Sequence, residues 1–135
     1  MTDPLRSFLA AWEEDPRGVK PAFERLAAAF DAVAGCCPTL VSRPGVTHSL
    51  RAMWESPGSR PLFAMVDVVE DPDGRWLSIC FFSDTVRDKA ELGNQVPDGL
   101  FGENANCFDI EEPDPALLDY VLERVAEAAS AHPRS

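Results

Sequence analysis

The sequence predicts an α+β domain of two layers, an antiparallel sheet with helices packed on one of its faces. Three observations carry that expectation. Apolar residues recur at helical spacing near both ends of the chain, they alternate with a period of two in the middle, and prolines and glycines fall at the junctions. The expected order is ααβββαβα with about four strands, in a single domain over residues 1–135. It divides into a helical pair in 1–35, a sheet with a short inserted helix in 46–110, and a closing helix in 114–129.

Asp3 and Pro4 open the first helix as cap and first helical residue, and Leu5, Phe8, Leu9 and Trp12 form its apolar stripe. A second helix covers 19–34, with Pro21 in its first turn and Phe23, Leu26, Ala27 and Phe30 inward. Gly35 suits its end. Cys36, Cys37 and Pro38 then read as a packed turn. "VTHSLRAMW" is a half-buried strand. It has Val46, His48, Leu50, Ala52 and Trp54 on one face and Thr47, Ser49, Arg51 and Met53 on the other. "LFAMVDVV" and "RWLSICFF" are central strands joined through "EDPDG", so 46–82 forms an antiparallel meander. "TVRDKAEL" is expected as a short helix, "QVPDGLFGENA" as a loop anchored by Leu100 and Phe101, and "NCFDI" as a fourth strand. Asp114-Pro115 repeats the cap-plus-proline device before the last helix.

Composition narrows the function. The chain is 45% hydrophobic and 26% charged, ordinary for a globular domain. Its net charge of −11 comes from the second half: residues 66–135 carry sixteen acids against five bases. Residues 36–65 carry one acid and three bases, Arg43, Arg51 and Arg60. Such a field repels phosphate backbones and anionic lipid, so nucleic acid and membranes are disfavoured as partners. The N-terminal segment has no secretory pattern and the cysteines have no disulfide-dense spacing, so a cytoplasmic location is expected. Cys80 and Cys107 would come close if their strands were neighbours, but buried, reduced thiols are the expectation.

Five constellations could carry chemistry. Gly99 and Gly102 follow a helix and precede a strand, the reverse of a phosphate loop, with Glu103 beside them and no lysine. His48, alone on an apolar strand face, could join Cys80 or Cys107 and the loop-tip residues Asn104 and Asn106 in a pocket between helices and sheet, the site of an enzyme of unknown type. Cys36 and Cys37 follow a helix C-terminus, which disfavours a thiolate. Asp119, Glu123 and Glu127 lie at i, i+4, i+8 on one helix face and could hold a divalent metal loosely, though such a run is ordinarily a solvated face. Finally, Thr47, Ser49, Arg51 and Met53, with Arg43 and Arg60 at the margin, form a cationic patch on the open side of the sheet. This patch suits an acidic partner, an unknown protein or small molecule, or the acidic half of a second copy in a homodimer.

The run "RPLFAMVDVVEDPDGRWLSICFF", the segment "TVRDKAEL", the strand "NCFDI" and the closing helix together resemble the layout of small bacterial MmcQ/YjbR-like domains, and in size and acidity the chain is similar to frataxin-like proteins. The resemblance covers about residues 46–128. The first group implies a double-wing, DNA-binding-like fold, with a lysine after the second core strand where this chain has Phe82-Ser83-Asp84. The second implies iron binding on an early acidic helix and strand, where this chain places its acids late, at Asp119, Glu123 and Glu127. Only the fold expectation transfers. The function that fits best is a binding or interaction domain without catalysis, needing no cofactor. Metal binding on the acidic helix and an enzyme site near His48 are the alternatives.

Overall fold

The computed structural model describes residues 2–131. Three helices and six strands follow in the order α1 (Asp3–Ala11), α2 (Lys20–Asp31), β1 (Cys36–Arg43), β2 (Thr47–Trp54), β3 (Leu62–Val69), β4 (Trp76–Phe82), β5 (Asn94–Leu100), β6 (Glu103–Ile110) and α3 (Pro115–Ser130). One antiparallel sheet contains all six strands in the order β1-β2-β3-β4-β6-β5. The architecture is α+β, as the sequence predicts, with two strands more than expected. His132, read as terminal, lies outside the described residues.

Local chemistry explains the elements. Asp114 caps α3, its carboxylate accepting from the Leu117 N–H at 3.1 Å. Asp15 serves α2 in the same way from a distance, accepting from the N–H groups of Val19 and Lys20 at 2.9 Å each. The helices bury Leu5, Phe23, Leu26, Phe30, Val121 and Val125 against Leu50, Val66, Leu77, Ile79 and Phe108 of the sheet. A second, smaller cluster joins Leu62, Cys80, Phe82, Leu100, Ala105 and Cys107 and includes no helical residue, so it lies on the face the helices leave open.

Three expectations need correction. Cys36 and Cys37 do not make a turn; they begin β1, an edge strand, where Pro38 is tolerated because one side of the strand has no ladder to supply. "TVRDKAEL" forms turns instead of a helix. There the Asp88 carboxylate takes the N–H groups of Leu92 and Gly93 and the Tyr120 hydroxyl, at 3.0, 2.8 and 2.7 Å, so side-chain bonds replace a helical ladder. The stretch before β6 is a strand, β5, with an irregular register between Val96 and Leu100. It closes on a two-residue turn with φ of 48° at Phe101 and 77° at Gly102.

Candidate functional site on the open sheet face

Pairing register fixes which side chains share the open face. One cross-strand row reads Ser49 (β2), Asp67 (β3), Ser78 (β4) and Asp109 (β6), with Val41 of β1 at its end. The adjacent row reads Thr39, Arg51, Met65, Cys80 and Cys107. Thr47, Ser49, Arg51 and Met53 therefore face away from the helices, in the arrangement their alternation predicts, and Arg43 pairs with Thr47 at the margin.

This face carries an unbalanced set of polar groups. Ser49 is 6% exposed, and its Oγ, Arg51 Nε and Asp67 Oδ1 are buried with no hydrogen-bond partner. An unmade bond at a buried polar atom costs more than an average bond gains, so such atoms call for a partner. Burial pushes the Asp67 carboxyl above its ordinary range; the nearby Ser49 hydroxyl and the charges of Arg51 and Arg43 pull it back. The Ser49 hydroxyl therefore lies close to that carboxyl, in a contact too poorly aligned to satisfy either buried oxygen fully. Asp109 is also pushed up, first by desolvation and then by Glu111, and the neighbouring Ser78 hydroxyl pulls it part of the way back.

The β5–β6 hairpin tip folds toward this face. Phe101 is half exposed and lies under Arg51, the guanidinium carbon 5.3 Å from the ring centroid. A left-handed φ is rare for an aromatic residue, so the tip holds its ring there at some cost. Arg60 stacks on Phe82 at 4.0 Å and bonds both Asp84 (2.9 Å) and Glu103 (2.8 Å). It acts as a clamp between β3, β4 and the hairpin. Val41, Val96 and Phe101 are exposed apolar residues of the same face.

The alternative pocket does not assemble. His48 lies on the helix-covered face in the row Ser42–His48–Val68–Leu77–Ile110. Cys80 and Cys107 lie on the open face, paired in register and joined as a disulfide, contrary to the expectation of reduced thiols. Asn106 is buried in another row, beside Gln95 and Phe81, and Asn104 accepts from the Asp98 N–H at 3.3 Å in the hairpin. The tip from Glu103 to Asn106 is therefore separated from His48 by two intervening strands and by its position along them.

The acidic stripe of α3 is partly occupied. Glu127 accepts from the Arg87 N–H at 2.9 Å and from Arg124 at 3.1 Å, and Glu123 lies 3.6 Å from Arg124. Asp119 is exposed. Among the described residues no three His, Cys, Asp or Glu side chains are grouped to hold a metal ion. No described helix is long and apolar enough to cross a membrane. The chain matches no protein-family model, no curated protein and no solved structure.

Sequence reasoning found the basic half of this face and missed its acidic half. Asp67 and Asp109 sit singly in apolar runs, and only the strand order places them in one row with Ser49 and Ser78. The period-two position of Asp67 within "LFAMVDVV", opposite in phase to Val66 and Val68, was the available signal.

Proposed function

We propose that the protein is an interaction domain that associates through its open sheet face, and that the occupant of this face is a second copy of the same chain. The observation that carries the reading is the row Ser49–Asp67–Ser78–Asp109, whose buried Ser49 Oγ and Asp67 Oδ1 make no well-formed hydrogen bond within the chain. The row alternates hydroxyl and carboxylate across β2, β3, β4 and β6. A two-fold axis parallel to the strands, between β3 and β4, lays β2 over β6 and β3 over β4 of the partner. Ser49 then meets Asp109, and Asp67 meets Ser78, each donor opposite an acceptor. Arg51 is carried toward the same Asp109, and the exposed Val41, Val96 and Phe101 add apolar area at the margins. Face-to-face sheets pack about 10 Å apart, a gap that short Ser and Asp side chains can bridge.

We place the protein in the cytoplasm on composition. The glutathione pool there keeps thiols reduced, so this placement predicts free Cys80 and Cys107 in the cell and the disulfide in the air-oxidised protein. The reading is tested by sedimentation of Arg51→Glu against the unaltered chain. A dimer that becomes a monomer supports it. An unaltered chain that is monomeric at high micromolar concentration overturns it, and so does capture of a different protein by this face with no self-association.

A further inference from the structure

A second constellation lies at the opposite face, where β1, β2 and the end of β3 meet α1, and it stands independently of the dimer. His48 of β2 is opposite Ser42 of β1 in register, and its Nδ1 lies 2.9 Å from the Ser42 Oγ. Its Nε2 lies 3.1 Å from Glu70 Oε2. Glu70 follows β3 and is tied back by its N–H to the Val46 carbonyl at 3.0 Å. Arg75 grips the same carboxylate through two bonds, Nε to Oε1 at 2.7 Å and Nη2 to Oε2 at 3.1 Å.

These contacts decide the tautomer. Arg75, and then His48, hold the Glu70 carboxyl below its ordinary range, so it is ionised at neutral pH and can only accept. In the neutral imidazole the proton therefore sits on Nε2, facing Glu70. Nδ1 keeps its lone pair, and the Ser42 hydroxyl must donate to it. The Phe8 ring, 4.6 Å from the imidazole, and the burial of His48 hold the ring in that orientation. Ser42 itself is exposed, so an electrophile can reach the oxygen whose proton is already aimed at a base.

We propose that Ser42 is an acyl-accepting nucleophile with His48 as its general base and Glu70 as the positioning residue, and that the site hydrolyses small neutral or cationic esters. The Ser42 oxygen bonds to the ester carbonyl carbon as its proton passes to His48 Nδ1. The bond to the leaving alkoxide then breaks, and the alkoxide takes that proton. Water adds to the acyl group with Nδ1 again as base, releasing the carboxylic acid and restoring Ser42. The substrate charge follows from the surroundings. Beyond Glu70 a groove of about 460 Å³ is lined by Glu13, Glu14 and Asp71 and by Arg75, whose charge Glu70 already balances; Arg43 adjoins Ser42, but the whole chain carries −11, so the net field disfavours an anionic ester.

The test uses the full chain with a fluorophosphonate probe and with p-nitrophenyl acetate. The expected result is one phosphonyl adduct, mapped by mass spectrometry to Ser42, and ester hydrolysis reduced about 100-fold or more in Ser42→Ala and in His48→Gln, the scale of general-base assistance. Ser42→Ala also removes the partner of the buried His48 Nδ1, so its melting temperature is measured beside the rate, and a lost rate in a chain that melts normally is loss of the nucleophile. Glu70→Gln should lower kcat with KM little changed and alter the pH profile of the reaction, with recovery in Glu70→Asp. No adduct on Ser42, or equal hydrolysis by the unaltered chain and Ser42→Ala, overturns the proposal.

Discussion

Reduction of the Cys80–Cys107 disulfide should lower the melting temperature by about ten degrees. The two residues are directly paired across β4 and β6 and are separated by 27 residues in sequence. Closing a loop of that size removes about 12 cal/mol/K from the unfolded chain, or about 3.5 kcal/mol at 25 °C. The freed thiols stay in the same cluster beside Leu62, Phe82 and Leu100, and buried cysteine packs as a small hydrophobe, so little packing is lost with the bond. An unfolding entropy of about 2.1 cal/mol/K per residue gives about 280 cal/mol/K for this chain, which converts the loss to about 12 °C. Thermal unfolding by circular dichroism, with and without a phosphine reductant, measures it on the air-oxidised protein. A Cys80→Ala/Cys107→Ala variant should melt near the reduced chain and ignore the reductant. Thiol counting is the companion measurement. Cys37 is exposed, whereas burial, with Cys37, Asp31 and Glu55 nearby, pushes the Cys36 thiol up to about 12, so native alkylation should label Cys37 alone. A shift under about 3 °C, a size far below the loop-closure value, or four free thiols in the unreduced, denatured chain would refute the reasoning.

Three further outcomes follow from the geometry. Gly93→Ala should cost about 1–3 kcal/mol, the range for overpacking, because a Cβ there collides with Asn106 Oδ1 and the Phe108 ring; urea unfolding reads it. Arg75→Met should lose about 1 kcal/mol at pH 7, the upper range for a partly exposed ion pair. Glu70 is depressed in the fold, so its contribution is present above the unfolded carboxylate range and disappears as pH falls through the folded value; the gap between the two chains should narrow with acid to what Arg75 gains over the Phe8 and Trp12 rings. Asp67 has the opposite sign: its raised carboxyl imposes a penalty that appears as pH rises through the folded value, so Asp67→Asn should be the more stable chain at pH 7 and not at pH 3 in dilute solution. Phe101→Asn should leave stability within about 0.5 kcal/mol, because relief of the left-handed backbone offsets the lost Arg51 stack, and should still weaken self-association.

The central meander and the closing helix were legible because each rests on local chemistry; the first helix was found but not its cap, since it begins at Asp3 itself, with Thr2 in the cap position and no side-chain bond there. Asp114-Pro115 caps α3 as its residue types require, and the alternation in "VTHSLRAMW" puts Leu50 inward and Arg51 outward. The missed elements are those whose local signals conflict with their tertiary role. β1 contains Pro38 and ends before Pro44, and β5 contains Pro97 and Gly99, so both read as loops; as the two edges of the sheet they need fewer backbone donors and tolerate those residues. In "TVRDKAEL" the helical spacing was real, but Asp88 bonds the backbone and Tyr120 instead. The site was half legible. Ser49 and Arg51 follow from strand phase, whereas their relation to Asp67, Ser78 and Asp109, and that of Ser42 to His48 and Glu70, exists only once strand order and register are set.

The most direct test of the dimer is charge exchange between two variants. Arg51→Glu and Asp109→Arg, each alone, should sediment as monomers, because each places like charges on both halves of the two-fold contact. Mixed in equal amounts, they should form a heterodimer, since every reversed charge then faces its opposite. Variants that remain dimeric alone, or that stay monomeric when mixed although the unaltered chain dimerises, would contradict the pairing of β2 with β6 across the open face.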